Sequence, residues 1–213
     1  MHTEVVTIGL GYIGLPTSAL IASSGTHVVG VDINKEVVDT INKGEIHIVE
    51  PDLDKVVLDV VSNGFFKART KPVPAKVYLI VVPTPFKGDN KPDISFVIAA
   101  TNSIIPFLKE DDLYIIESTS PVGTTEKMEE LIYKSRPDLK NKISVAYCPE
   151  RVLPGNVMYE LVENDRVIGG VNEKSTKEAI NFYKKYVKGD LHGTNSRTAE
   201  MCKLVENSSR DVQ

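Results

Sequence analysis

Three glycines near the start of the chain follow the spacing G-x-G-x-x-G. They are Gly9, Gly11 and Gly14, and the apolar run 5–8 precedes them. In such a strand–turn–helix unit, the first glycine permits the turn and the second lets the backbone approach a pyrophosphate. The third lets helix and strand pack closely. The helix N-terminus directs free N–H groups and a positive dipole end toward the phosphates, so the spacing predicts a dinucleotide site.

An acidic residue at the end of the second predicted strand refines the choice of dinucleotide. Asp32 follows the apolar segment 27–31 and lies 18 positions beyond Gly14. A carboxylate at this distance is expected to bind the hydroxyls of the adenosine ribose, and it would repel the 2′-phosphate of NADP. We therefore predict NAD, although Lys35 nearby weakens the argument against NADP. The alternative is a flavodoxin-like turn followed by an acid without that role.

Three polar loops that contain proline or glycine each follow a predicted buried strand. They are Pro83-Thr84-Pro85, Ser118–Thr125 and Cys148–Gly155. Ligands of open α/β sheets bind beyond the carboxyl ends of the strands, so Thr84, Thr119 and Thr125 could donate hydroxyls to a cofactor. The structural alternatives are a rigid proline-bounded turn at Thr84 and a helix N-cap at Thr125.

The third loop contains a Glu-Arg pair between two prolines. Arg151 could clamp a phosphate with two hydrogen bonds, and Glu150 could orient a water or accept a proton. A surface ion pair is the alternative. Cys148 is predicted to be a small buried hydrophobe, with a nucleophilic thiol as the alternative. No second His or Cys lies at metal-binding spacing from His47, so no metal site is predicted.

A cation, an amide and a second cation share one face of the last predicted helix. Lys203, Asn207 and Arg210 are spaced i, i+4 and i+7, with Ala199 above them. Such a stripe could bind a phosphorylated, hydroxylated substrate. A solvated charged face is the alternative.

The elements that must position these residues alternate between strand and helix along the chain. Continuous apolar runs of strand length, such as 77–82, are typical of parallel strands that helices cover on both faces. The run 167–170 is predicted to be the last strand, with a helix over 173–187 after it. Asn195 or Ser196 then caps the final helix. We predict an α/β fold with a Rossmann-like, doubly wound, mainly parallel sheet over residues 1–194.

Composition limits the classes of function. The chain has 213 residues, 41% of them hydrophobic, and a net charge of −4, so it can bury a sizeable core and has no basic patch for nucleic acid. No apolar run reaches the roughly 18 residues of a membrane helix, and the start of the chain lacks a signal peptide. The two cysteines, Cys148 and Cys202, are far apart in sequence. We expect a cytoplasmic protein with reduced thiols.

Taken together, these motifs resemble the UDP-glucose/GDP-mannose dehydrogenase family. The matching stretches cover the whole chain and are Gly9–Pro16, Asp32–Asn34, Pro83–Pro85, Ser118–Thr125, Cys148–Arg151 and Ala199–Asn207. The stretches Gly44–Leu53 and Cys148–Gly155 are similar to the branch of the family that acts on UDP-N-acetylmannosamine. The resemblance implies that the C6 alcohol of a nucleotide sugar is oxidised to a carboxylate, with two NAD used per sugar.

The resemblance also implies roles for individual residues. Beside the three glycines, the residues implied to touch NAD are Tyr12, Ile13, Asp32, Thr84 and Thr125. Those implied to touch the nucleotide sugar are Arg151, Val152, Asn207 and Arg210. Lys203 matches the catalytic lysine, whose ammonium can stabilise a developing alkoxide and relay protons. Glu150 matches a glutamate with an acid/base role toward water, and Thr119 matches a threonine that helps to hold that water. Pro154 stands where some members carry a second glutamate, so that role is not carried over.

The resemblance further implies parts that lie outside these 213 residues. The family's second oxidation uses a cysteine thiolate that forms a thioester, in a glycine-rich motif downstream of the Lys/Asn helix. Neither Cys148 nor Cys202 lies in a matching motif. We therefore expect a fragment, with an NAD-binding domain over 1–194 and, over 195–213, the start of a long helix that links two halves at a homodimer interface. The alternatives are an NAD-binding module without turnover and a related single-step hydroxyacid dehydrogenase.

Overall fold

The computed structural model describes residues 3–88 and 91–212. The strands are β1 (Val5–Ile8), β2 (Val28–Val31), β3 (Phe66–Arg69), β4 (Val77–Ile80), β5 (Phe86–Lys87), β6 (Lys91–Pro92), β7 (Leu113–Ile116), β8 (Ser144–Tyr147), β9 (Arg166–Gly170) and β10 (Leu191–Asn195). The helices are α1 (Gly14–Ser23), α2 (Lys35–Asn42), α3 (Leu53–Ser62), α4 (Ser95–Ile104), α5 (Thr124–Ser135), α6 (Val157–Glu163), α7 (Glu173–Tyr183) and α8 (Ser196–Val212). In the described ranges, no helix is long and apolar enough to cross a membrane.

Eight strands form one sheet in the order β10-β9-β8-β7-β4-β1-β2-β3, and β5 and β6 form a separate antiparallel hairpin. The six strands from β8 to β3 run parallel, and β9 and β10 run parallel to each other. The β8–β9 pair is antiparallel, with Tyr147 opposite Gly169. The predicted α/β class with a mainly parallel, doubly wound sheet is confirmed.

The chain changes direction across the sheet at β1. β2 and β3 lie on one side of β1, whereas β4, β7 and β8 lie on the other. A ligand crevice opens at such a switch point, outside the carboxyl ends of the strands. We call the side of the sheet where these six parallel strands end the carboxyl edge.

Alternate strand residues face two hydrophobic clusters, one on each side of the sheet. Val5 and Ile115 belong to one cluster, and their neighbours Val6 and Ile116 belong to the other. Side chains of α1, α3 and α7 complete the first cluster, and those of α4 and α5 complete the second. Because both faces are covered, the central strands are buried at every position, which explains their unbroken apolar sequences.

Asparagine side chains cap the starts of two helices, and the cap of α8 is one that the sequence predicts. Asn34 Oδ1 accepts the Glu36 N–H at 2.9 Å as α2 begins. Asn195 Oδ1 accepts the Thr198 N–H at 2.9 Å as α8 begins. Each bond satisfies a backbone donor that the helix itself leaves without a partner.

The sequence analysis missed β10, α6 and the β5–β6 hairpin. β10 is polar and pairs with β9 at the end of the sheet, so it lacks the apolar run by which the other strands were identified. The prediction that 167–170 is the last strand is therefore wrong. α7 ends at Tyr183 because residues 184–186 form a turn, so the predicted end at Val187 is also wrong.

The turn between β1 and α1 depends on two glycines that leave no room for a side chain. Gly9 has a φ of +98°, and a Cβ there would lie 2.2 Å from the carbonyl oxygen of Val81. A Cβ on Gly14 would lie 1.9 Å from the carbonyl oxygen of Gly9. A Cβ on Gly11 would meet nothing within 4 Å. β1, β4 and α1 can therefore approach this closely only with glycine at positions 9 and 14.

This contrast gives a matched pair of substitutions. We expect Gly14→Ala to lower the free energy of unfolding by about 3 kcal/mol, because the atom that the new Cβ meets belongs to the backbone. Gly11→Ala should change it by less than about 1 kcal/mol. Urea denaturation of both variants measures the difference. Equal stability of the two would contradict the tight packing described for this turn.

Candidate functional site

The glycine turn leaves open space where a pyrophosphate would lie. Gly11 faces that space, and the ten-residue helix α1 begins at Gly14 directly after it. Tyr12 and Ile13 are half-buried between them. An open approach to the backbone beside a helix N-terminus is what a dinucleotide phosphate needs, so this turn fits NAD.

Asp32 is held at the carboxyl edge by two backbone donors. Its Oδ2 accepts the Leu10 N–H at 3.0 Å, and its Oδ1 accepts the Asn34 N–H at 2.9 Å. The residue is half-buried, and the next side chain, Ile33, is 91% exposed. Each carboxylate oxygen has a further lone pair for a ribose hydroxyl, and Ile33 offers an apolar surface to an adenine ring. These features also fit NAD.

Two of the predicted threonines lie at the ends of neighbouring strands. Thr84 follows β4 and Thr119 follows β7, and both are half-buried. Ser118 fixes the two loops to each other, because its Oγ accepts the Val82 N–H at 2.9 Å and donates to the Val82 carbonyl at 2.7 Å. The sequence analysis did not select Ser118 for this role.

Thr125 has a different environment from Thr84 and Thr119. It is fully buried, and its Oγ1 donates to Glu200 Oε1 at 2.6 Å. The Thr125 N–H donates to the same oxygen at 2.8 Å, and the Gly123 N–H donates to Glu200 Oε2 at 2.6 Å. The hydroxyl of Thr125 therefore faces α8, and its contact with NAD stays a prediction.

Glu200 joins the last helix to the sheet and was missed by the sequence analysis. Its side chain is fully buried and satisfies donors at the start of α5, where the helix dipole favours negative charge. The available signal was its spacing. Glu200 lies three residues before Lys203, so both side chains occupy the same inward face of α8.

Lys203 meets Glu150 beyond the end of β8. The lysine is only 5% exposed, and its Nζ donates to the Glu150 carbonyl at 2.7 Å. Glu150 Oε1 lies 3.6 Å from Nζ, and Glu150 Oε2 accepts the Val152 N–H at 2.8 Å. An ammonium has three N–H donors, so the hydrogen bond to the Glu150 carbonyl leaves two for other oxygens.

An open groove of about 770 Å³ lies between α8 and the loop that follows β8. The residues that line it include Pro149, Arg151, Lys203, Glu206 and Arg210. Glu206 accepts from Arg151 Nε at 2.7 Å and from Arg210 Nη2 at 2.5 Å. Burial opposes ionisation of Glu206, but the two arginines outweigh it and hold the pKa of this carboxyl below its ordinary value. Glu206 was not selected from the sequence.

Asn207 is half-buried and lies one turn after Lys203 on α8. Val152 is also half-buried, in the loop opposite. The structure brings Lys203 and Arg210 of α8 together with Glu150 and Arg151 of the 148–155 loop, whereas contacts of Val152 and Asn207 with a substrate stay predictions.

Cys148 lies in a buried polar cluster rather than in the groove. Its side chain is fully buried, and burial raises the pKa of its thiol to about 11, although the neighbouring Arg166 guanidinium acts in the opposite direction. Glu117 and Tyr183 complete the cluster, with a 2.5 Å hydrogen bond between them. At neutral pH this thiol is protonated and inaccessible, so the predicted buried position is confirmed.

A second group of polar side chains lies at the start of β10. Asp165, Asp190 and His192 are residue types that can bind a metal ion, and their potential ligand atoms lie within 4.8 Å of one another. All three residues are exposed. Sequence spacing did not reveal this group, because its members come from two strand starts that are adjacent only in the fold. Exposed groups of this kind are common without an ion, and this one lies outside the groove.

The fold and the turn define a class before any comparison is made. The sheet is doubly wound, its switch point carries a glycine turn, and an acidic residue follows the next strand, where this fold binds a ribose. These features define a Rossmann-type dinucleotide-binding protein. Along the carboxyl edge, the strand order places Asp32, the glycine turn, Thr84, Thr119 and Glu150 in one row.

Comparisons with known proteins identify the family. The NAD binding domain of the UDP-glucose/GDP-mannose dehydrogenase family matches residues 3–187. The UDP-N-acetyl-D-mannosamine dehydrogenase of Escherichia coli (strain K12) is 57% identical over 98% of this chain and 51% of that protein. The solved UDP-N-acetyl-mannosamine dehydrogenase Cap5O of Staphylococcus aureus is 42% identical and superposes with a TM-score of 0.90, over 99% of this chain and 52% of that one.

The chain belongs to the UDP-glucose/GDP-mannose dehydrogenase family, and its cofactor is NAD. It spans about half the length of the curated relatives it matches. A relative named for another compound, the NDP-N-acetyl-D-galactosaminuronic acid dehydrogenase of Ralstonia nicotianae, is 52% identical over 98% of the chain and 51% of that protein.

The Glu200 contact gives a test of how α8 is held. In Glu200→Gln, an amide N–H would face the Gly123 N–H, and the charge at the start of α5 would be lost. We expect the free energy of unfolding to fall by about 2 to 3 kcal/mol. The control is Glu126→Gln, which also removes a charge from the first turn of α5 but breaks only a surface pair with Arg197, and it should cost less than about 1 kcal/mol. Equal effects in thermal unfolding would contradict a special role for Glu200.

Proposed function

We propose that this chain supplies the NAD site and one wall of the substrate site of an enzyme that oxidises the C6 alcohol of a UDP-sugar to the uronate. The substrate we propose is UDP-N-acetylmannosamine, because relatives that are 57% and 42% identical to this chain are named for it. The observation that carries the proposal is the position of Lys203. It is buried against Glu150 at the end of the same row of strand-end residues that begins with Asp32.

The row gives each part of NAD a set of residues. Asp32 would hold the adenosine ribose, and the N–H groups beside Gly11, Tyr12 and Ile13 would hold the pyrophosphate. Thr84 and Thr119 lie further along the edge, where the nicotinamide end would reach. When bound there, NAD supplies the acceptor for the hydride that leaves the alcohol carbon.

The oxidation of an alcohol develops negative charge on its oxygen. Lys203 Nζ has N–H groups available to donate to that oxygen, while the Glu150 carbonyl fixes the direction of the amine. The carboxylate of Glu150 can exchange a proton with a water that Thr119 helps to hold. Catalytic roles for Lys203, Glu150 and Thr119 are part of the proposal.

The groove beside Lys203 suits a nucleotide sugar. Arg151 and Arg210 line it, and guanidinium groups bind phosphate through paired hydrogen bonds. Glu206 holds both cations in place, so their positions are set before the substrate arrives. Val152 and Asn207 complete the proposed contacts with the substrate.

The division of the chain and its assembly belong to the same proposal. Residues 1–194 would form the NAD-binding domain, and 195–213 would begin a helix that links it to the rest of the site in a homodimer. The exposed Met201 and Val205 of α8 are consistent with such a contact. Location in the cytoplasm stays a prediction.

A second candidate function is an NAD-binding module without turnover. The burial of Cys148 is consistent with it for these 213 residues, because a buried protonated thiol cannot serve as the nucleophile of the second oxidation. Cys202, in contrast, is exposed and lines the groove. Calorimetric titration of NAD on this chain, and an assay of NADH formation with UDP-N-acetylmannosamine on the longer protein that the first proposal assumes, separate the two candidates. Binding with two NADH per sugar supports the enzyme, and binding without NADH supports the module. Absence of NAD binding contradicts both.

The ribose role of Asp32 has a direct test. We expect Asp32→Asn to weaken NAD binding by about tenfold or more, because a charge-assisted hydrogen bond is lost. It should also reduce the preference for NAD over NADP, a ratio that a general loss of stability would leave unchanged. The exposed Asp54→Asn is the control and should bind NAD normally. An unchanged preference measured by calorimetry would remove Asp32 from this role.

A further inference from the structure

Glu50 is a buried carboxylate that the proposed function does not use. It lies in the loop between α2 and α3, within the stretch 44–53, and its side chain is 5% exposed. Its Oε2 accepts from the Tyr12 hydroxyl at 2.7 Å and from the Gly155 N–H at 3.0 Å. Its Oε1 accepts from the Val157 N–H at 2.7 Å. One side chain therefore joins three segments that are distant in sequence.

The partners of Glu50 belong to two different parts of the site. Tyr12 lies inside the glycine turn, two residues before α1 begins. Gly155 and Val157 close the loop that carries Glu150 and Arg151. Some of the other hydrogen bonds of this loop stay within the 150–164 segment, such as Leu153 N–H to Glu160. Others join it to α8, namely Lys203 to the Glu150 carbonyl and Arg151 to Glu206. Glu50 is thus the anchor that reaches this loop from the cofactor side.

The contact requires a charged carboxylate. Burial opposes ionisation of Glu50, but the hydrogen bonds from Tyr12, Val157 and Gly155 outweigh it and place the pKa of Glu50 below its ordinary value. All three partners are donors, and a carboxylate offers only acceptors. A glutamine of the same shape would turn its NH₂ group toward at least one of these donors, which leaves a buried polar group unpaired.

We propose that Glu50 is a positioning residue that couples the glycine turn, which would hold the cofactor, to the loop 150–157, which would face the substrate. NAD bound at the turn would then restrict the motion of residues 150–157. The coupling rests on the proposed function, since it assumes that NAD occupies the turn and that the loop faces the nucleotide sugar. The physical reason lies in shared order. A phosphate that restricts the motion of the turn also restricts Tyr12. Because Tyr12 is hydrogen-bonded to Glu50, the conformational entropy that Glu50 and the loop lose on becoming ordered is then smaller.

Amide hydrogen exchange on the purified chain, read by mass spectrometry over 150–158, measures the order of the loop. Wild type is compared with Glu50→Gln, Tyr12→Phe and the matched control Glu45→Gln, whose exposed carboxylate lies in the same loop as Glu50. Each variant is measured without ligand and with NAD at a concentration that saturates that variant, as set by calorimetry. Saturation removes any effect of Tyr12→Phe on NAD affinity from the comparison.

We expect NAD to slow exchange over 150–158 in wild type and in Glu45→Gln. Without ligand, Glu50→Gln should exchange about tenfold faster in this segment, as expected for the loss of one buried hydrogen bond, with peptides of the central strands unchanged. With saturating NAD, neither Glu50→Gln nor Tyr12→Phe should show the protection that wild type shows.

Three results would overturn the proposal. The first is unchanged exchange over 150–158 in Glu50→Gln, and the second is faster exchange throughout the sheet, which marks a residue of general stability. The third is a Tyr12→Phe variant in which NAD still slows exchange over 150–158 as much as in wild type. If Glu50→Gln does not fold, the Tyr12→Phe measurement by itself tests the proposal. If calorimetry detects no NAD binding, the proposed function fails, whereas the ligand-free comparison of Glu50→Gln with Glu45→Gln still decides whether Glu50 holds the loop.

Discussion

The site depends first on one buried contact, the carboxylate of Glu200 against the start of α5. It accepts two backbone N–H groups and the Thr125 hydroxyl, and so fixes α8 to the sheet. Because Lys203 lies one turn further along the same face, that contact also decides where its ammonium lies. Ala199 packs in the apolar cluster and Lys203 bonds the Glu150 carbonyl, but Glu200 is the buried charge that joins α8 to α5.

The same type of contact, a carboxylate that accepts backbone N–H groups, occurs elsewhere along the carboxyl edge. Asp32 accepts backbone donors of the glycine turn, Glu50 accepts those that end the loop after β8, and Glu200 accepts those that begin α5. Loops at strand ends contain backbone N–H groups that no sheet neighbour satisfies, and hydrogen bonds to a carboxylate are among the strongest that can satisfy them. Negatively charged side chains therefore set the shape of a site whose proposed ligands, NAD and a nucleotide sugar, are themselves anions. The positive charges of Arg151, Lys203 and Arg210 are grouped at the groove, at one end of this row.

The sequence predicted what local patterns encode. Unbroken apolar runs located the central parallel strands, and glycine spacing located the turn, because both reflect short-range constraints on backbone and burial. β10 was not predicted, because a polar strand at the end of a sheet is recognised only by its pairing with its neighbour, β9. Four polar residues were not predicted for a related reason, because each bonds a partner that only the tertiary fold brings near. They are Ser118, Glu50, Glu200 and Glu206. Thr125 shows the converse, since a residue of the expected type is directed by Glu200 toward the protein interior.

The central claim is that cofactor and substrate residues lie in one row, with Asp32 at one end and Lys203 at the other. A crystal structure of this chain with NAD tests it most directly. In that structure we expect the adenosine ribose on the carboxylate of Asp32, the pyrophosphate over Gly11, and the nicotinamide beside Thr119 with its reactive face toward Lys203. A dinucleotide bound elsewhere, or bound with its nicotinamide directed away from Lys203, would contradict the account.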